Sequence, residues 1–404
     1  MIRLTDRAST IKQRRSPLTE SLMNRQTLLS IYERLEGVIS KLPGPLQNAV
    51  KGELSPIKQI FLAQRLARIV LVGKPTADAS ALLSGLLGSH LQMVEPQQMG
   101  GWVTYELRGR GGFQVLDARR LNETSLTWKA LEAAISAESP DLFVFLVDGR
   151  EQLDLGLECE QTARLLEMAE LRHHSQAGLI GVVDMSSTAP QEVAETRRLE
   201  LQTWLSGPGR LSAHFVKSVA VCSFVRFRVD GSIDPERDER RNLDVLGELL
   251  ARELPGESQV EMARLVGAKK VQLETAQHLV HSLSTVCGAI GVQPIPFADF
   301  PILTALQFAM VSGIMHISGR ELGLRSAAEF FGALGANIGA GMIFREGARG
   351  AAKLLPGWGN AISGGVAAMG TYAVGRAAIG YFIEGISIGE ARKLFHRRKL
   401  PKVY

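Results

Sequence analysis

A chain of 404 residues with 45% hydrophobic and 22% charged side chains has room for two or three domains with real cores and is not a disordered polymer. The formal charge of +5 is unevenly spread: residues 1–68 hold twelve Lys and Arg against five Asp and Glu, and residues 389–404 hold six against one. Basic ends suit an anionic membrane surface at least as well as a nucleic acid, while 6% aromatic content argues against a stacking platform for single strands. Cys159, Cys222 and Cys287 form no CxxC and no metal-ligand spacing, so a reducing compartment is the default.

In chain order, Ser16-Pro17 reads as an N-cap with Pro at the first helical position. Leu28, Ile31, Leu35, Val38 and Leu42 follow at helical spacing. Leu42-Pro43-Gly44-Pro45 breaks the run, and Ser55-Pro56 opens another helix. Residues 1–67 are therefore expected to be a helical extension that packs against the next domain or contacts lipid.

Residues 68–256 alternate strand and helix. Ile69–Val72 reads as a strand and Ala79–Leu87 as a helix. Trp102–Leu107 and Phe113–Leu116 read as strands joined by a Gly-rich turn. Asp141–Val147, Gly178–Val183 and Phe215–Cys222 are apolar strands, separated by helical runs at Leu126–Ala137, Leu153–Arg172, Gln191–Leu205 and Asn242–Arg252. Continuous apolar strands between helices imply a mostly parallel sheet with helices on both faces. With a loop after the first strand and one early hairpin, this is the order of a small P-loop GTPase-like domain, an α/β fold.

Such a domain needs a Gly-rich turn and a Lys on the phosphates, a Ser or Thr on Mg²⁺, an acid after the third strand and an N-K-x-D that reads guanine. The frame G-x-x-x-x-G-K-[ST] starts at Gly73, but Asp78 stands for the second Gly and Ala79 for the Lys; Ser80 alone is kept, with Lys74 early in the loop. The second slot is Asp117-Ala118-Arg119-Arg120, with Arg120 where a Gly amide would face the γ-phosphate. The third, Asp184-Met185-Ser186-Ser187, lacks the guanine carboxylate, and Cys222-Ser223 fills the fourth. Each lost hydrogen bond to a charged group removes about 1.5–3 kcal/mol, and each ~1.4 kcal/mol is tenfold in affinity. Gly73, Lys74, Ser80, Asp117 and Asp184 are thus vestigial nucleotide-site positions. Asp117, Asp148 and Asp184 also read as strand-end acids that cap turns, and His173-His174 as a helix end. No catalytic triad, no HExxH and no metal set stands out.

The carboxyl third changes composition. Phe300–Met315, Ala327–Phe344 and Ala361–Ile383 are weakly charged. Ala328, Gly332, Gly335 and Gly339 form one stripe of small residues, and Gly364, Ala368, Thr371, Gly375 and Ala378 another. Such stripes let helices approach closely and are frequent in lipid; each Gly costs a water-exposed helix about 1 kcal/mol relative to Ala. Arg376 inside the second stripe needs a partner, with Glu329, Glu384 or Asp299 within the same region. Gly332, Gly335, Gly339, Gly364, Gly375 and Arg376 are the helix-packing or intramembrane candidates.

The segments Pro296-Phe297-Ala298-Asp299, Leu303-Thr304-Ala305-Leu306-Gln307, Leu355-Pro356-Gly357-Trp358-Gly359 and Gly370–Ala378 recur in order in a family. Over roughly residues 260–390 the chain resembles the YcjF-like membrane-associated domain of bacteria, and its middle resembles the Era-type GTPase domain that often precedes it. The resemblance implies an all-α glycine-rich membrane-associated domain over residues 257–404, on the cytoplasmic face of an inner membrane. The expected function is a membrane-associated pseudo-GTPase acting as a binding or scaffold module, with lipid and an unidentified protein as partners, homo-oligomer formation through the glycine-rich helices open, nucleic acid not expected, and no cofactor. The alternatives are a working GTPase that holds GTP and Mg²⁺ through residues 73–80, and a soluble interaction protein with basic ends.

Overall fold

The computed structural model describes residues 44–53, 63–91, 100–107, 111–119, 125–291, 299–320, 324–334 and 359–396, with single residues 33, 36, 37, 40 and 58. The elements are α1 (Gly44–Glu53), β1 (Ala67–Gly73), α2 (Ala79–Leu87), β2 (Val103–Leu107), β3 (Gly111–Asp117), α3 (Ser125–Ala137), β4 (Leu142–Asp148), α4 (Gly156–His173), β5 (Gly178–Asp184), α5 (Gln191–Ser206) and β6 (Phe215–Val221). They continue with β7 (Val225–Phe227), β8 (Ile233–Asp238), α6 (Leu243–Glu253), α7 (Gly256–Val266), α8 (Lys269–Gly291), α9 (Asp299–Ile317), α10 (Leu324–Ala333), α11 (Gly359–Ile379), a π-helical turn (Gly380–Glu384) and α12 (Ile388–His396).

Period-two alternation in the strands sorts the first core into two layers. The six-stranded sheet has the order β2-β3-β1-β4-β5-β6. Only β2 runs antiparallel, paired with β3, and the other pairings are parallel. Ile69 and Leu71 of β1 face α2, α6 and α7, with Leu83, Leu246 and Met262 in the same cluster. Val70 and Val72 face α3, α4 and α5, with Leu131, Leu165 and Leu201. β4 is buried along its whole length, as a central strand covered on both sides must be.

The third core is helical and gathers α8, α9, α10, α11 and α12 around Leu283, Met310, Phe330, Val374 and Ala391. Helix α7 serves both units: Met262 and Leu265 lie in the sheet's core and Val260 in the helical one. Helix α8 does the same along its axis, with Val271 on the sheet side and Ala276 onward on the other.

The structure adds elements that the sequence reading did not place. The Pro43-Gly44-Pro45 breaker is followed at once by α1, because Pro is tolerated in a first helical turn. Val50 of α1 sits in the helical cluster. The hairpin β7–β8 joins a three-residue strand to a six-residue one whose single apolar residue is Ile233, too short an alternation to mark a strand pair by periodicity. The helix expected between Ser16 and Leu42 and the break at Pro294–Pro296 lie outside the described residues, apart from the single positions above.

Candidate functional site

Parallel α/β sheets present their functional groups at the carboxyl ends of the strands. Here β1 ends at Gly73, β3 at Asp117, β4 at Asp148 and β5 at Asp184. Register aligns Leu71 with Asp117, Gly73 with Leu146, and Asp148 with Asp184. Ser223 follows β6 on the same edge.

Gly73 holds φ at +100°, and a Cβ there would lie 2.4 Å from the Leu146 carbonyl oxygen. The chain then turns, with the Lys74 N–H donating to that carbonyl at 3.0 Å. Asp78 is the N-cap of α2, and its Oδ1 accepts the Ala81 N–H at 3.0 Å. A helix N-terminus is the natural seat of a phosphate; here the chain's own carboxylate occupies it. Lys74 is half-buried and Ser80 exposed. Thr76 Oγ1 donates to Glu151 at 3.0 Å across the top of the loop.

Asp117 is gripped by Arg119, with Nε 2.8 Å from Oδ1 and Nη2 2.6 Å from Oδ2. The Arg119 N–H also donates to Oδ1 at 3.2 Å. The remaining arm, Nη1, donates to the carbonyl of Ala77, in the loop itself. The Arg119 side chain is only 8% exposed, against 36% for Asp117. The same Asp-x-Arg fork recurs twice. Arg150 holds Asp148 through Nε at 2.9 Å and through Nη2, which keeps the Asp148 carboxyl below its ordinary range. Arg240 holds Asp238 at 2.7 and 2.8 Å and donates at 3.0 Å to the Gly85 carbonyl near the end of α2.

Asp184 is half-buried and accepts the Ser223 N–H at 3.0 Å and its hydroxyl at 2.5 Å. Burial pushes its carboxyl above the ordinary value, the Ser223 bonds pull it down, and the negative charges of Asp148 and Asp78 push it up again. Arg241 donates to the Ser186 and Ser187 carbonyls at 3.1 and 2.8 Å, tying the loop after β5 to the segment after β8. His174 is the left-handed cap of α4 and His173 Nε2 lies 2.6 Å from the Ile135 carbonyl, which accounts for the histidine pair structurally.

These residues do not fit GTP with Mg²⁺. The anion seat of α2 holds Asp78, the lysine position is Ala79, and the acid that would hold metal-bound water is closed by a guanidinium. Among the described residues no cluster of three or more His, Cys, Asp or Glu is placed to hold a metal ion. The structure brings Gly73, Lys74, Ser80, Asp117 and Asp184 to one edge. Arg119, Arg150 and Arg241 are the partners sequence reasoning missed. The Asp-x-Arg spacing was the available signal for the first two; Arg241 left none.

In the helical unit, α11 crosses α8 at close range. A Cβ at Gly375 would lie 2.4 Å from Val280 Cγ2, and a Cβ at Gly288 would lie 3.5 Å from the Gly364 carbonyl. Thr371, wholly buried, accepts from Gln307 Nε2 at 3.1 Å. Arg376 Nη1 lies 3.9 Å from Glu384 Oε1; Glu329 pairs instead with Arg325 at 3.4 Å. Gly332 is exposed with nothing within 4 Å of a Cβ position, and Gly335 and Gly339 lie outside the described residues. Residues Gly364–Glu384 form the one described helix of 21 residues that is long and apolar enough to cross a membrane, with 50% of its apolar window buried against its neighbours.

No curated protein matches the chain. Among solved structures it is similar to the LeoA bacterial dynamin GTPase from ETEC, at 14% identity and a TM-score of 0.38, covering 84% of this chain and 60% of that one. It is also similar to Era in complex with MgGDPNP and a 16S ribosomal RNA fragment, at 16% identity and TM-score 0.30, covering 55% and 68%. An oligomerised bacterial dynamin pair, described as a mechanism for long-range sensing and tethering of membranes, is similar at 8% identity and TM-score 0.33, covering 96% and 73%. This chain therefore spans about three fifths of the length of LeoA, and likenesses at these scores say nothing of its activity. Residues 263–402 match the family described as Domain of unknown function (DUF697), the stretch over which the sequence resembles the YcjF-like domain.

Proposed function

We propose that this chain is a membrane-associated pseudo-GTPase, a GTPase-like sheet used as a binding or scaffold module and joined to a helical domain that holds it at a membrane. The observation that carries the first half is Asp78, whose carboxylate accepts the Ala81 N–H in the first turn of α2. A triphosphate entering there would meet a negative charge instead of open amides and a lysine. With about 1.5–3 kcal/mol for each charged hydrogen bond missing, the loss of several such bonds weakens nucleotide binding by about a thousandfold or more relative to a complete site.

The membrane half is supported by residues Gly364–Glu384, which rise about 31 Å at 1.5 Å each, close to the ~30 Å of a bilayer's hydrocarbon. The Arg376–Glu384 pair gives the charge inside this stretch a partner. The basic last turn of α12, with Lys393 and His396, suits an anionic leaflet. The cytoplasmic face of a bacterial inner membrane is the location that the resemblance implies.

Two measurements on one preparation test this. Calorimetric titration with GTP and Mg²⁺ to millimolar concentration is expected to give no heat of binding; micromolar binding abolished by Lys74→Ala would establish a working site. Carbonate extraction of membranes is expected to leave the chain in the pellet; release to the supernatant overturns the membrane assignment.

A further inference from the structure

In a nucleotide-switched domain the segment after the third strand is tethered to the phosphate loop only while metal and terminal phosphate are present. We propose that Arg119 replaces that tether with a built-in cation, holding the end of β3 to the 73–80 loop without any nucleotide. The inference borrows from the pseudo-GTPase reading only its comparison with a switch.

Three features carry it. Arg119 spends both sides of its fork on Asp117, at 2.8 and 2.6 Å, the acid that would otherwise face metal-bound water. Its third arm reaches across to the Ala77 carbonyl, 42 positions away in the chain. Its side chain is 8% exposed, so the guanidinium is packed in the gap rather than waving in solvent. A planar fork can satisfy a carboxylate and a carbonyl together; a lysine ammonium cannot reproduce that geometry. Asp78 supplies the matching fixed anion one residue beyond Ala77. The site carries both signs of charge in its own chain, and both join the loop to neighbouring backbone.

The Asp238–Arg240 fork is an internal control. It has the same spacing and also bonds a backbone carbonyl, but at Gly85 inside α2, near the end of that helix away from the loop. If Arg119 were merely a local turn motif, losing it would matter no more to the loop than losing Arg240.

The test is hydrogen exchange on the intact chain, nucleotide-free, with EDTA or with Mg²⁺. Arg119→Ala is expected to raise exchange about tenfold or more over residues 74–82 and 117–119, the factor that one charge-assisted hydrogen bond carries. Arg119→Lys is expected to fall between, and Arg240→Ala to leave these segments as in the parent. Mg²⁺ is expected to change nothing in the parent chain. The proposal is overturned if Arg119→Ala changes exchange there by less than twofold, if Arg240→Ala has the same effect, or if Mg²⁺ protects the parent's loop. Should Arg119→Ala fail to fold, Arg119→Lys and Asp117→Asn give the same readout with smaller disturbance. GTP binding in calorimetry would sink the pseudo-GTPase reading and leave this exchange result standing, so the two fail separately.

Discussion

Gly375 of α11 faces Val280 of α8 so closely that a Cβ on the glycine would lie 2.4 Å from Cγ2 and 2.5 Å from Cγ1 of the valine. Val280 is 1% exposed and has nowhere to go. Overpacking of this kind costs about 1–3 kcal/mol, so Gly375→Ala is expected to lower the denaturation midpoint accordingly. Because the clash is with one side chain, the Gly375→Ala and Val280→Ala double variant should lose less than the sum of the singles. Strict additivity in a double-mutant cycle would mean the helices are held apart by something else.

Gly332 belongs to the other small-residue stripe and behaves oppositely. It is exposed on α10, and a Cβ would meet nothing within 4 Å. Alanine there removes unfolded-state freedom without a clash, worth about 0.5–1 kcal/mol of added stability. A rise in the melting midpoint of Gly332→Ala is the expected result. A fall would show that Gly332 touches lipid or another chain.

The contrast marks what was legible. Periodicity gave the parallel sheet, its early hairpin and the helical carboxyl third, because burial on both faces dictates composition position by position. Spacing also put Gly332 and Gly375 in equivalent stripes, yet one is packed and the other open, since a stripe says which side of a helix is smooth and not what meets it. At the strand ends, the degraded slots were readable as missing residues. That Arg119 fills one of them was not, because attention goes to the positions a motif requires, and Arg119 lies between two of these, Asp117 and Arg120. The β7–β8 hairpin sets exposed Arg226, Arg228 and Glu236 against half-buried Val225, Phe227 and Ile233, an apolar face too short for a sequence pattern to reveal.

Asp184 predicts a pH dependence. Burial raises its carboxyl above the ordinary 3.8 in the folded chain, while the unfolded chain keeps about that ordinary value. Between the two values the native state binds more protons than the unfolded one, so this group's contribution to stability falls as pH rises through that window and levels off above the folded value. Asp184→Asn cannot titrate and keeps an acceptor for the Ser223 N–H. Measured from pH 3.5 upward, the melting temperature of the parent minus that of Asp184→Asn should decline with pH and then become flat. A difference that grows with pH would mean that the Ser223 bonds outweigh burial and the shift is downward.

The two ends of the old phosphate frame should respond differently to alanine. Gly73 sits at φ +100° with the Leu146 backbone against its missing Cβ, oxygen at 2.4 Å and nitrogen at 2.9 Å. Left-handed backbone costs a residue with a side chain about 1–2 kcal/mol, and here the obstruction is strand β4 itself, which cannot yield without breaking its pairing with β1. Gly73→Ala is therefore expected to lose about 3 kcal/mol or more, visible as a large fall in the urea midpoint. Ser80 is exposed on the first turn of α2, and Ser80→Ala should stay within about 0.5 kcal/mol, with or without Mg²⁺ and GTP. The glycine is then kept because a strand must pass close by, a reason that needs no phosphate, and the serine has no structural reason at all. If Ser80→Ala instead removes a Mg²⁺-dependent gain in stability of the parent chain, the loop binds metal after all and Ser80 serves chemistry rather than backbone geometry.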